Sequence, residues 1–304
     1  MWLPERVQLT SEQIWPARWG QERRLEFIDF RLLWEGRVNR SDLTNFFNIS
    51  VPQASLDLAK YRELAPQNTA YDVTQKTYVA TKSFTPLIVR FSADAYLERV
   101  LAIENGVLEP NSAFLGWRPE AGVVRDPSRA VDPTSLRFIL LAIREHRSVL
   151  ADYQSMTSPD PKRRRITPHA IAFDGSRWHA RAYCHTHEAF RDFVLARISG
   201  ITLEEKSEID GSEDTEWHRE IDVVLAPHPE LSPAQRRAIE SDYGMTDGKL
   251  IVRTREALLF YLLRHLGLLP KPARGVFSDQ VILENKEDLE EFFAKHQISW
   301  LTRS

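Results

Sequence analysis

Apolar residues recur at helical spacing from Gln21 to Trp34, where Leu25, Phe27, Ile28, Phe30, Leu32, Leu33 and Trp34 predict a mostly buried helix that Gly36 ends. Asn39 is placed to cap a second helix carrying Leu43, Phe46 and Phe47, with Asp42 as the reciprocal carboxylate. After the tight link Asn48-Ile49, Ser50 predicts the N-cap of a third helix reaching about Leu64. Pro52 sits in the tolerant first turn, and Gln53 completes a capping box. Val51, Leu56, Leu58 and Tyr61 are the residues this helix is expected to bury to differing degrees. Tyr71-Asp72-Val73 and Thr77-Tyr78-Val79 then flank Thr74-Gln75-Lys76, a short turn between two β-prone runs.

Helix, helix, turn, helix, hairpin is the order of a winged helix-turn-helix, in which the turn fixes the last helix so that its N-terminal end enters a major groove. The candidate DNA contacts are Arg40, Ser50, Gln53, Ser55, Lys60, Arg62 and Lys76. Gln and Ser suit base edges; Lys and Arg suit phosphates, with Lys76 at the hairpin tip. The alternative is an ordinary solvated face, because helix-turn-helix folds also serve as protein-interaction modules.

Period-two patterning takes over after Pro133. A helix from Thr134 to about His146 leads into the strand Ser148 to Tyr153, then Arg165 to Phe173, an Asp174-Gly175 turn, Trp178 to Cys184, Phe190 to Phe193 and Leu195 to Ile198. Alternation puts Trp178, Ala180 and Ala182 on a core face and His179, Arg181 and Tyr183 on a polar, aromatic one, onto which Arg191 and Arg197 are expected to converge. Trp178 and Phe193 read as core. Lys162-Arg163-Arg164, beside Pro159 and Pro161, reads as a loop that is either simply solvated or contacts phosphate.

Further on, Glu220 to Leu225, Lys249 to Arg253 and Gln280 to Leu283 read as strands. Ser232-Pro233-Ala234-Gln235 opens a helix, Glu256 to Leu266 is a strongly apolar one ended by Gly267, and Asn285 caps a last helix presenting Leu289, Phe292 and Phe293. The leucine-rich helix is apolar over more than one face, so it packs inside a small α/β core or against a second subunit.

Composition narrows the function classes. The 304 residues, 42% hydrophobic and 27% charged, suit two or three soluble domains. No apolar run spans a bilayer, Met1 to Arg6 has no signal-peptide core, and one cysteine, Cys184, fits a reducing cytoplasm; no membrane association is expected. The net charge of −3 hides an asymmetry, with arginines around Lys162 to Arg197 and carboxylates from Glu204 to Glu216, where Glu204-Glu205 reads as part of a solvated linker. His179, Cys184, His185 and His187 match no common zinc spacing, and no phosphate loop, nucleophile elbow or paired catalytic carboxylates are recognised. No catalytic residue, metal or cofactor is therefore expected.

Tyr153 and Ser155, Arg165-Ile166-x-Pro168-His169, the Asp174-Gly175 turn, Trp178, Arg181-Ala182-Tyr183-Cys184 and Arg191-x-Phe193-x-Leu195-x-Arg197-Ile198 resemble the WYL domain family, though of the hallmark tripeptide only Trp178 is kept at Trp178-His179-Ala180. With the flanking segments, the chain resembles bacterial WYL regulators, especially the branch that represses anti-phage defence operons of the BREX and CBASS type. The resemblance implies an α+β multidomain protein: winged helix-turn-helix (1–83), helical linker (84–130), ligand-sensing WYL domain built on an Sm-like or SH3-like β-barrel (131–206) and a small α/β dimerisation unit (217–304). It implies a homodimeric repressor on an inverted-repeat, double-stranded DNA operator. The implied effector is a nucleotide or single-stranded nucleic acid, with Tyr153, Ser155, Arg165, His169, His179, Arg181, Arg191 and Arg197 as candidate contacts. The competing readings are a nucleic-acid-handling enzyme and a protein-interaction adaptor whose winged helix does not bind DNA.

Overall fold

A computed structural model describes residues 20–90, 92–124, 127, 129–269 and 280–296. Met1 to Arg6, read above for a signal peptide, lie outside the described residues. The chain divides into two compact units, Met1–Arg125 and Asp126–Ser304.

The first unit holds α1 (Gln21–Glu35), β1 (Arg37–Val38), α2 (Arg40–Phe47), α3 (Val51–Leu64), β2 (Thr69–Asp72), β3 (Thr77–Ala80) and α4 (Ala93–Glu104). Local chemistry sets the helix ends. Gly36 takes the left-handed conformation (φ 69°) that stops α1, and Asn39 with Asp42 forms the expected reciprocal capping box of α2. Ser50 caps α3 by accepting from Gln53 N, but Gln53 does not return the bond: its amide donates to Asp57 Oδ1 at 3.2 Å, a buried carboxylate also held by Arg24. The hairpin is joined by β1 in the antiparallel order β1-β3-β2, a strand too short for the sequence pattern to announce.

Phe27, Ile28, Phe30, Leu32, Leu43, Leu58 and Tyr61 form the core of this unit, together with Phe114 from beyond the hairpin. Phe84, Val89, Tyr96 and Leu115 pack on it too, so the segment read as a linker completes this core. Its anchor is Asp29, fully buried on α1. One carboxylate takes the hydroxyl of Tyr61 and the backbone N–H groups of Leu87, Ile88 and Val89. A buried anion needs this many donors to offset its lost hydration.

The second unit begins with α5 (Pro133–Glu145), which packs on a five-stranded antiparallel sheet in the order β7-β6-β5-β4-β8. Its strands are β4 (Arg147–Tyr153), β5 (Lys162–Phe173), β6 (Trp178–Cys184), β7 (Ala189–Val194) and β8 (Ile198–Lys206). The last strand pairs with the first, and no ladder joins the edges β7 and β8 among the described residues. Ile139, Ala142, Val149, Ile166, Ala180, Ala182, Cys184 and Phe193 make its core.

Three expectations change here. Lys162-Arg163-Arg164 is strand, because Tyr153, Asp152 and Ala151 pair with it in register. Glu204 and Glu205 lie on β8 rather than in a solvated linker, and Glu204 pairs with Arg165 at 2.8 Å. Trp178 stands at a strand end, half exposed, against Phe173 instead of in the core.

A short helix, α6 (Thr215–His218), leads to β9 (Glu220–Pro227), α7 (Pro233–Asp242), β10 (Leu250–Arg255), α8 (Glu256–His265), β11 (Val281–Leu283) and α9 (Glu290–Lys295). The sheet order is β10-β9-β11, all antiparallel, with α8 and α9 supplying Leu259, Leu263, Phe292 and Phe293 to its core. Asn285 caps no helix; it clasps β9, accepting from Val224 N and donating to the Asp222 carbonyl. Among the described residues no helix is long and apolar enough to cross a membrane.

Candidate nucleic-acid interface and effector face

In the first unit, α2 and α3 are joined through Asn48, whose left-handed backbone (φ 51°) makes the tight turn between them. Ala54, Asp57, Leu58 and Tyr61 pin one side of α3 to the core, leaving the opposite side free. Arg40, Ser50, Arg62 and Lys76 are exposed as the sequence suggested, with Arg62 over the ring of Tyr78 and Lys76 held at the wing tip by a positive φ of 53°. Gln53 and Ser55 differ. The Gln53 amide is committed to Asp57, and the Ser55 hydroxyl donates to the Val51 carbonyl at 2.9 Å. Lys60 pairs with Glu63 at 3.1 Å. Arg37, on β1 between α1 and the wing, is an exposed cation the sequence reading missed; only the Gly36 stop hinted at an element there.

In the second unit, the predicted polar face of the sheet is split. Arg181 is buried, and its guanidinium faces three carboxylates: Asp214 through Nε at 2.7 Å and Nη2 at 2.9 Å, Glu216 at 2.9 Å and Asp192 at 3.3 Å. His169 adds a bond from Nε2 to Asp214 at 2.9 Å. Burial by itself would push Asp214 up, but its bonds with Arg181 and His169 outweigh this and hold its carboxyl well below the usual range. Gly211 permits the approach of this segment: a Cβ there would sit 2.7 Å from the Cβ of His169. His179 is likewise buried, bonded to Asp174 at 3.1 Å and facing the ring of Tyr261. Asp174 also accepts from Ser176 N, Arg177 and Arg264. His169, His179 and Arg181 are thus covered by α6 and α8, with carboxylates where a ligand's phosphates were expected.

Tyr153, Ser155 and Arg191 do come together. They line a cavity of about 420 Å³ with Lys162, Arg164 and His187, closed on one side by Phe193 and Asp192. Thr157 and Ser158 add hydroxyls. A slight desolvation, followed by repulsion from Arg191, Arg164 and Lys162, lowers the exposed His187 imidazole from its usual value. Arg165 points to Glu204, and Arg197 lies half-buried in the single turn before β8; neither lines the cavity. Lys162, Arg164 and His187 are the basic and imidazole side chains of the pocket that the sequence-derived contacts did not include. For Lys162 and Arg164 the signal was the pairing of β5 with β4, invisible without the register; His187 lies in the turn between β6 and β7.

Asp192 belongs to both places. It lines the cavity, while its oxygens accept from Arg181 and, at 2.9 Å, from the Tyr261 hydroxyl on α8.

A winged helix, an arginine-rich five-stranded sheet behind a helix and a trailing α/β unit define a regulator of the WYL class. Three family matches follow the same order: BrxR transcriptional regulator winged helix-turn-helix domain over residues 20–102, WYL domain over 134–203, and BrxR transcriptional regulator C-terminal dimerization domain over 220–289. The chain is 45% identical over 278 residues to the DNA-binding transcriptional repressor CapW of Stenotrophomonas maltophilia, covering 91% of this chain and 93% of the relative. It is 43% identical to that of Pseudomonas aeruginosa (95% and 97% covered) and 44% identical to that of Escherichia coli (90% and 92%). The chain belongs to the CapW family of WYL-domain transcriptional repressors.

Proposed function

We propose that this chain is a homodimeric, DNA-binding repressor of a phage-defence operon, released or retained at its operator by an anionic nucleotide or single-stranded nucleic acid bound in the second unit. The observation that carries the reading is the ordered run of DNA-binding, WYL and dimerisation segments in a chain matched over nine-tenths of its length by CapW repressors. In this reading the domains are 1–83 with its 84–130 extension, 131–206 and 217–304, and the protein acts in the cytoplasm. The strand order, with the last strand beside the first, suits an Sm-like barrel. Two copies present two α3 helices to an inverted repeat, with Arg40, Arg62 and Lys76 on phosphates.

Effector binding shifts operator affinity only if the ligand favours one of two conformations of the dimer. The cavity lined by Tyr153, Ser155, Lys162, Arg164 and Arg191 is the effector site in this proposal, and Asp192 links it to α8 through Tyr261. Lys162→Glu combined with Arg191→Glu is expected to leave basal operator binding within twofold. The same variant is expected to lose at least tenfold in affinity for a pool of short 5′-phosphorylated oligonucleotides, since each charge-assisted bond contributes about 1.5–3 kcal/mol. Unchanged oligonucleotide binding measured by fluorescence anisotropy would put the effector elsewhere.

The test of the function is a gel-shift titration against the DNA upstream of the chain's own gene, with scrambled DNA as competitor. Specific binding by two protomers, falling steeply with salt, supports the repressor; equal affinity for scrambled DNA at every salt concentration contradicts it. Arg62→Ala should weaken binding to all sequences alike and lower the slope of log affinity against log salt by about one per protomer, as counterion release from a single phosphate requires.

A further inference from the structure

The outward side of α3 is not the polar surface its sequence suggests. Leu56 is 63% exposed and Val51 54% exposed, although both read as residues the helix would bury. Pro52 and Ala59 are exposed as well, and Pro52, Leu56 and Ala59 follow one another at the i, i+4, i+7 spacing of a single helix stripe. This stripe lies opposite the buried one formed by Ala54, Asp57, Leu58 and Tyr61. Meanwhile the Gln53 amide is spent on Asp57 and the Ser55 proton on Val51. Near the helix start the Gln53 amide and the Ser55 proton are engaged by the chain itself, while Pro52 and Leu56 stand exposed.

An exposed leucine on a soluble helix needs no special reason when it stands singly. Here it sits mid-way along the helix that a helix-turn-helix lays into a major groove, and the same unit exposes Arg40, Arg62 and Lys76, whose charge suits phosphates. In that groove one base-pair edge offers an apolar group, the C5-methyl of thymine. We propose that α3 reads its operator chiefly through methyl contact: Leu56, with Pro52 beside it, packs on a thymine C5-methyl in each half-site and makes T the preferred base there. The inference rests on the reading of the chain as a DNA-binding repressor, and adds which base chemistry it selects.

Deoxyuridine lacks only that methyl group, so it isolates the contact. Full-length protein is used to select an operator from a random DNA pool, and each thymine of the half-sites is then replaced by deoxyuridine. Wild-type protein is expected to lose about fourfold per half-site, about fifteenfold for both, at one symmetric thymine position, the loss expected for one buried methyl. Leu56→Ala should bind the thymine and deoxyuridine operators equally and keep the wild-type melting temperature, because the side chain is exposed. Leu56→Gln, selected afresh from the pool, should exchange T at that position for a base offering hydrogen bonds.

Wild-type protein indifferent to every substitution overturns the proposal, as does Leu56→Ala retaining the full preference. A change in oligomer mass in Leu56→Ala with the thymine preference intact overturns it in favour of a self-contact. Failure of the pool to enrich any sequence contradicts the DNA-binding reading itself, which separates the two failures.

Discussion

Replacing Arg181 with alanine is expected to lower the stability of the second unit by about 3–5 kcal/mol, because removing one partner of a buried ion pair strands the others. Asp214 is almost fully buried and Asp192 and Glu216 are largely covered, so three carboxylates lose their shared counter-charge at once. For a unit of this size the corresponding fall in melting temperature is about 10 °C. Arg181→Met with Asp214→Leu should be more stable than Arg181→Met alone, since replacing both charges by apolar groups removes the stranded anion. A shift below about 2 °C in a calorimetric scan of Arg181→Ala would show that the network is hydrated and contributes little.

The sign with pH follows from Asp214 and Asp174. Both are held below the usual carboxylate range; burial opposes this, and hydrogen bonds from Arg181 and His169, or from Ser176 N and His179, prevail. Their contribution is complete above the unfolded carboxylate value of about 4 and is lost as pH falls through the lower folded values. Wild-type stability should therefore drop on acidification below about pH 4, and Arg181→Met should flatten that limb, as urea midpoints across pH 3–7 would reveal.

Asp29→Ala is the second large effect expected, and it falls on the winged helix. The substitution removes a fully buried carboxylate that accepts from three part-buried backbone N–H groups and from the Tyr61 hydroxyl. Each donor left unsatisfied costs about 1–3 kcal/mol, so a loss of about 4 kcal/mol is reasonable after local rearrangement. Segment 84–90 would come away from α1 and take its packing on Tyr61 and Asn68 with it, and operator binding should fail as a consequence. Amide exchange of Leu87, Ile88 and Val89 should accelerate at least a hundredfold. Tyr61→Phe, which removes one of the four bonds to Asp29 and the one Asn68 donates to the Tyr61 oxygen, should cost only about 2 kcal/mol. Protection at 87–89 surviving in Asp29→Ala would overturn this account.

What the sequence disclosed depended on how far apart the partners were. The ends of α1, α2 and α3 were legible because Gly36, Asn39 with Asp42, and Ser50 act on their own neighbours. The core face of β6 was legible too, since Ala180, Ala182 and Cys184 alternate as a half-buried strand should. The other face was read as open to ligand because nothing near His179 or Arg181 reveals that Asp214, Glu216 and Tyr261 return to cover it. Lys162 to Arg164, beside Pro159 and Pro161, looked like a loop until pairing with β4 made it strand and brought Lys162 and Arg164 to the cavity. Leu56 and Val51 were expected to be buried in some proportion by residue type, whereas Ala54, Asp57, Leu58 and Tyr61 occupy the buried side of α3 and leave both exposed.

Cys184 lies fully buried between Ala182 and the strands around it, in the layer that joins β6 to β5 and β7. Its thiol reacts with a water-soluble disulfide reagent only in molecules whose sheet has opened, so the natural chain carries a clock for that opening. The thiol-exchange rate, followed while candidate nucleotides are added, ranks them by how firmly each holds the five-stranded sheet shut, if the proposed effector site binds them. Such a screen needs no operator, no label and no knowledge of the genes controlled.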